Sequence, residues 1–215
     1  MVSGHHRSFL VKLFYAPGAC SLSPHIVLRE LGLPFTLERV DLKAKKTESG
    51  EDFTAINPKG YVPALQLDDG EVLTEGPAIT QYLADKYAPG QLAPASGTVE
   101  RARLNGHLTF IGTELHKGFG PLFNPTITPD ARAAALANLG RKFRLLDRAL
   151  ADAGPYLTGP DFTLADAYLF VVQSWAPMLG VDTTPFPHVV AFAERVAARP
   201  AVQAALDAEK LPKPA

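Results

Sequence analysis

Cys20 is the only cysteine among 215 residues, and Cys20-Ser21-Leu22-Ser23 has the spacing of a redox C-x-x-C motif with serine in the second place. It follows a strand-like run and the Pro17-Gly18 turn and opens a helical pattern, where unpaired N–H groups and the helix dipole favour a thiolate over a thiol. A single thiol cannot close an internal disulfide, so its redox chemistry would pass through mixed disulfides with an outside thiol. The plainer role for a lone cysteine is that of a small buried hydrophobe. Two further segments offer a binding surface. In Asn57-Pro58-Lys59-Gly60-Tyr61-Val62-Pro63-Ala64-Leu65, Pro63 heads an apolar run. A cis Val62-Pro63 bond would turn the Val62 amide and carbonyl outward, where an extended ligand could pair with them. Leu73-Thr74-Glu75-Gly76 opens a helix whose first amides can receive a carboxylate. Together the two segments suit a small acidic peptide; the simpler alternative is an ordinary hairpin with an edge proline.

Positioning these residues requires a particular order of elements. Residues 11–15 alternate as a strand, residues 20–31 read as a helix ending at Gly32, and residues 35–40 form a second strand. That order implies a right-handed crossover between parallel strands. Asp69-Gly70 marks a hairpin between Leu65-Gln66-Leu67 and Val72-Leu73-Thr74. A helix carrying Ile79, Leu83 and Tyr87 on one face follows. Residues 11–88 are therefore a small α/β domain, and the breaker-rich stretch 89–97 is a linker. Residues 98–215 show no convincing strand pattern. Leu136, Leu139, Phe143, Leu146 and Leu150 make one helical stripe of bundle-core character. Thr163-Leu164-Ala165-Asp166 approximates a capping box that starts a helix over 163 to about 178, and Val189, Phe192 and Val196 continue the pattern to a break at Arg199-Pro200.

Composition narrows the function classes. With 47% hydrophobic and 20% charged residues the chain has ordinary soluble composition, and its net charge of −1 supplies no field for nucleic acid. No apolar run approaches the ~20 residues of a membrane span, so the expected setting is cytoplasmic with no membrane partner. The six histidines show no metal-ligand spacing with Cys20 or with one another. Residues 1–10 read as a disordered extension.

Five motifs in order give these residues a family. Residues 13–21, the 57–65 segment, Leu73-Thr74-Glu75-Gly76, Thr113-Glu114-Leu115-His116-Lys117-Gly118-Phe119 and Phe162-Thr163-Leu164-Ala165-Asp166-Ala167-Tyr168 strongly resemble bacterial beta-class glutathione transferases across about residues 11–210. The resemblance implies an α/β thioredoxin-like N-terminal domain, an all-α C-terminal domain, and a homodimer with one glutathione site per subunit. It places Cys20 beside the glutathione sulfur and pairs the backbone of Val62, held by Pro63, with the cysteinyl part of the tripeptide. Glu75 would take the γ-glutamyl ammonium and the Gly76 amide its carboxylate, while Lys45 would face the glycyl carboxylate. His116 and Lys117 would reach the sulfur and its surroundings from the helical domain. Thr109 stands where the family typically offers an asparagine to the neighbouring subunit's glutathione, a departure that leaves a shorter side chain, able to hydrogen-bond but without an amide, at that contact.

Implied chemistry is attack of the glutathione thiolate on small hydrophobic electrophiles, with glutathione-dependent disulfide reductase or peroxidase activity at its side. Phe110, Phe119, Phe123, Tyr168 and Trp175 are candidate walls for the electrophile, although each also suits a core, and two or three would suffice. A rival enzyme reading is a thiol-disulfide reductase with Cys20 as nucleophile, and a rival outside catalysis is a ligand-binding module of the same fold.

Overall fold

The computed structural model describes residues 10–212, so the extension expected over 1–10 lies, Leu10 apart, outside the described residues. Strand β1 (Val11–Tyr15) buries Val11, Leu13 and Phe14 at the centre of a five-stranded sheet. Helix α1 (Leu22–Glu30) crosses over to β2 (Phe35–Asp41), which runs parallel to β1 with Val11 opposite Phe35. On the other flank β4 (Ala64–Gln66) lies antiparallel to β1 and pairs through the Asp69-Gly70 turn with β5 (Val72–Thr74), Leu65 opposite Leu73. A two-residue strand β3 (Lys46–Thr47), unforeseen in the sequence, edges β2. The short α2 (Phe53–Ile56), capped by Asp52, leads into the 57–63 loop, and α3 (Gly76–Tyr87) follows β5. The strand order β3-β2-β1-β4-β5 is the expected thioredoxin-like sheet.

The rest is helical. Helix α4 (Val99–Phe110), capped by Thr98, runs on as a π-helix (Ile111–His116), then α5 (Lys117–Phe119) and a 3₁₀ turn (Gly120–Phe123). Thr128 caps α6 (Pro129–Ala153), whose stripe of Leu139, Phe143, Leu146 and Leu150 is buried as its spacing requires. Helices α7 (Leu164–Gln173), α8 (Ala176–Leu179), α9 (Pro187–Ala197) and α10 (Pro200–Ala208) complete the chain. The single helix expected from 163 to about 178 is instead two, α7 and α8. Pro177 has no N–H to offer the Gln173 carbonyl and its ring would clash with that carbonyl, so the chain turns at Ser174 and Trp175. The break at Arg199-Pro200 falls where expected, with Pro200 at the first position of α10.

One continuous apolar core joins the two halves. Helix α1 is the reason: it packs against α3 of its own half and against α7 and α10 of the helical half, and every residue from Leu22 to Leu28 is buried. Asp166 anchors the start of α7, its carboxylate accepting from Leu157 N (2.9 Å), Thr163 N (2.8 Å) and Thr163 Oγ1 (2.7 Å). Burial pushes its pKa up to about 6 against the pull of those donors.

Candidate active site

The loop between β1 and α1 is tied from both ends of the sequence. Gly18, at φ +70, donates its amide to Glu209 Oε2 (3.0 Å) and accepts Trp175 Nε1–H at its carbonyl (2.8 Å). The Ser21 hydroxyl, 3.2 Å from both the amide and the carbonyl of Ala16, closes the turn beneath. Cys20 thereby stands two residues before α1, half-buried, its thiol donating to the Val62 carbonyl at 3.3 Å. The expectation that a helix start would favour its thiolate is overturned: burial pushes the Cys20 pKa up to about 11, outweighing nearby backbone donors, and Glu75 raises it further. Desolvation of a lone charge exceeds the field of a helix that begins two residues on.

Across this thiol the 57–63 loop is shaped by buried Asn57, whose side chain donates to Tyr61 O (2.7 Å) and accepts from Lys59 N (3.1 Å). The Val62-Pro63 bond is cis, as expected. Lys45, in the left-handed region at φ +55, donates Nζ to Gly60 O at 2.7 Å. Glu75, at φ +69, turns the chain from β5 into α3, which begins at Gly76. Its carboxylate holds the ammonium of Lys59 at 2.5 Å, and Lys59 also reaches Thr74 Oγ1 at 3.2 Å. Glu75 accordingly raises the Lys59 pKa.

The facing wall is the π-helix. Half-buried His116 leaves its last turn with Nδ1 2.7 Å from the Tyr168 hydroxyl and its ring edge-on to Trp175, centroids 4.9 Å apart. Burial lowers its pKa, Lys117 lowers it further, and Glu75 opposes both. Cys20 and His116 each feel the charge of Glu75, and Tyr168 that of Cys20, so the four lie near enough to bias one another's ionisation. Thr109, in the last turn of α4, and Lys117, at the start of α5, flank the π-helix and are exposed, the Thr109 carbonyl accepting from Thr113 Oγ1 at 3.0 Å. Among the candidate aromatics, Trp175 sits between Phe119 (5.8 Å) and Phe123 (5.6 Å), both edge-on. Phe119 is wholly buried against Phe143, a support behind Trp175 rather than a surface. Phe123 is 49% exposed, Phe110 is half-buried and Tyr168 is 6% exposed. A groove of about 1130 Å³, lined by Leu92, Arg103, His107, Tyr156 and Phe162, lies apart from all these residues. Among the described residues no group of three or more His, Cys, Asp or Glu could hold a metal ion, and no helix is long and apolar enough to cross a membrane.

Residues 18–86 match the glutathione S-transferase N-terminal domain and residues 110–200 the glutathione S-transferase C-terminal domain. The chain belongs to the glutathione S-transferase family. It is 49% identical over 201 residues to glutathione S-transferase GstA of Escherichia coli O157:H7, covering 94% of this chain and 100% of the relative. A sphingomonad glutathione S-transferase solved in complex with glutathione superposes with a TM-score of 0.88 at 49% identity, covering 94% of this chain and 100% of that one. The bacterial beta-class enzyme of Sphingomonas chungbukensis superposes at 0.89 and 48% identity over the same shares of the two chains. This chain is a beta-class glutathione transferase.

Three features of the transferase site escaped its sequence. Lys59 lies within the 57–65 segment, yet only the fold of the 57–63 loop sets it on Glu75. The pairing of Tyr168 with His116 spans 52 positions. Most remote is the buried chain in which Arg29 donates to His25 Nε2 (2.9 Å) and His25 Nδ1 meets Glu209 Oε1 (2.8 Å), the carboxylate that also holds Gly18. No local pattern joins residues 18, 25 and 209.

Proposed function

We propose that this enzyme binds glutathione along the 57–76 edge of its cleft and conjugates its thiolate to small hydrophobic electrophiles held against Phe123 and Phe110, with buried Trp175 as their support. Glu75 takes the γ-glutamyl ammonium and Gly76 its carboxylate, the backbone at Val62 pairs with the cysteinyl unit, and Lys45 takes the glycyl carboxylate. Lys117 flanks the sulfur, and Thr109 contacts the glutathione of the neighbouring subunit in a cytoplasmic homodimer. In this reading residues 11–88 supply glutathione recognition and residues 98–215 the electrophile wall, joined by the linker 89–97.

The observation that carries the mechanism is the state of Cys20. A thiol pushed up to about 11 is a hydrogen-bond donor at neutral pH. At neutral pH it is overwhelmingly the protonated thiol, in keeping with its hydrogen bond to the Val62 carbonyl. As a nucleophile it would be poor; as a donor shared between the Val62 carbonyl and an incoming sulfur it suits a thiolate that belongs to glutathione. A thiol of ordinary pKa, about 8.5, needs only about 2.7 kcal/mol of differential stabilisation to fall by two units. Donors at Cys20 and His116, acting in a partly desolvated cleft, are of that size. The deciding measurement compares conjugation of an aryl halide with reduction of a mixed disulfide in Cys20→Ala. Conjugation that persists while disulfide reduction falls supports the transferase roles; conjugation abolished together with reduction would make Cys20 the nucleophile.

A further inference from the structure

Tyr168, expected as a wall for the electrophile, instead spends its hydroxyl on His116. Its ring is buried in α7 and its hydroxyl lies 2.7 Å from His116 Nδ1, the hydroxyl's only partner among the described residues. Two hydrogen arrangements fit that distance. If Nδ1–H donates to the phenol oxygen, the weaker acid is the donor and the phenol proton has no protein acceptor among the described residues, whereas buried donors are almost always paired. If the phenol donates to Nδ1, the hydroxyl proton and the Nδ1 lone pair are both used, and the single proton of a neutral imidazole sits on Nε2. Burial raises the Tyr168 pKa, which keeps its proton in place, and lowers that of His116, which keeps the ring neutral. The edge contacts of His116 with Tyr168 (6.0 Å) and Trp175 (4.9 Å) hold the ring plane, and Trp175 is itself fixed to Gly18.

We infer that Tyr168 is a positioning residue that donates to His116 Nδ1 and so locks the imidazole in its Nε2–H tautomer, making His116 a hydrogen-bond donor to the glutathione sulfur rather than its base. The inference rests on the reading above that His116 reaches the sulfur. In this tautomer the nitrogen facing away from Tyr168 has no free lone pair, so the proton of the bound thiol leaves to water or buffer. His116 stabilises the thiolate without taking a charge.

Long-range nitrogen–proton NMR of histidine-labelled enzyme, with His116 assigned from the signal lost in His116→Ala, reads the tautomer directly. The wild type should show the Nε2–H form, and Tyr168→Phe, which keeps the ring, a mixture of the two. In kinetics Tyr168→Phe should lower kcat about three- to tenfold with little change in KM for glutathione, and should have no further effect in a His116→Ala background, as residues acting through one unit are non-additive. His116→Gln, whose amide donates without acting as a base, should retain most of what His116→Ala loses. An Nδ1–H wild type, or a Tyr168→Phe loss that is equal in the presence and absence of His116, overturns the assignment. A His116→Ala enzyme of unchanged activity would instead sink the catalytic reading of the site while leaving the NMR result to stand or fall separately.

Discussion

The two walls of the cleft are built on different physics. The 45–76 wall is a set of short loops with exposed charges: Lys59 and Glu75 pair at the surface, and Lys45 reaches a loop carbonyl. The 111–175 wall is a π-helix backed by interlocked aromatic rings, where His116, Tyr168, Trp175 and Phe119 pack edge to face. Loops with solvated charges suit recognition of a polar, zwitterionic ligand. Rings in a shielded wall suit control of one proton and one sulfur. The comparison teaches that affinity and rate should separate by wall, and each wall can be perturbed alone.

The largest effect should come from the foundation of the helical wall. Asp166→Ala strands the Leu157 and Thr163 amides in a buried place and should remove about 3 kcal/mol of folding stability in chemical denaturation. A loss below about 0.5 kcal/mol would mean that the start of α7 does not hold this wall. Next is His116→Ala, expected to slow conjugation ten- to a hundredfold, about 1.4 to 2.7 kcal/mol of transition-state stabilisation, with KM for glutathione little changed. A change confined to KM would erase the division between walls.

On the loop wall Glu75→Ala should weaken glutathione binding about fivefold by calorimetry, the upper end for a solvent-screened ionic contact, and leave kcat nearly unaltered. Unchanged affinity would remove the γ-glutamyl assignment. Cys20, between the walls, supplies the gentlest test. Its alkylation in the free enzyme should be slow at neutral pH and rise about tenfold per pH unit toward a midpoint of about 11. The sign also applies to stability. The unfolded thiol ionises near 9 and the folded one near 11, so Cys20 makes the fold less stable as pH rises through that window. A plateau of alkylation below pH 8 would restore the thiolate and with it the reductase reading.

Much of this was legible in the sequence, because the signals are local. Alternation in residues 11–15, the Asp69-Gly70 turn, the 3- and 4-residue steps of Leu139, Phe143, Leu146 and Leu150, and the capping pair Thr163 and Asp166 each act within a turn or a hairpin. The cis Val62-Pro63 bond was readable too, since only a proline makes that geometry accessible. Tertiary packing alone decided the rest. A helix start favours a thiolate by sequence, yet desolvation at Cys20 depends on what α1 packs against, and burial won. The π-turn at Ile111–His116 has no spacing signature, and His116 in its last turn meets Tyr168 only across the fold. Glu209 lies 191 positions from Gly18, so its hold on the cysteine loop exists only after both halves have joined one core. Short-range hydrogen bonding and periodicity are written in neighbouring residues; burial, and the proton states that follow from it, belong to contacts that only the folded chain makes.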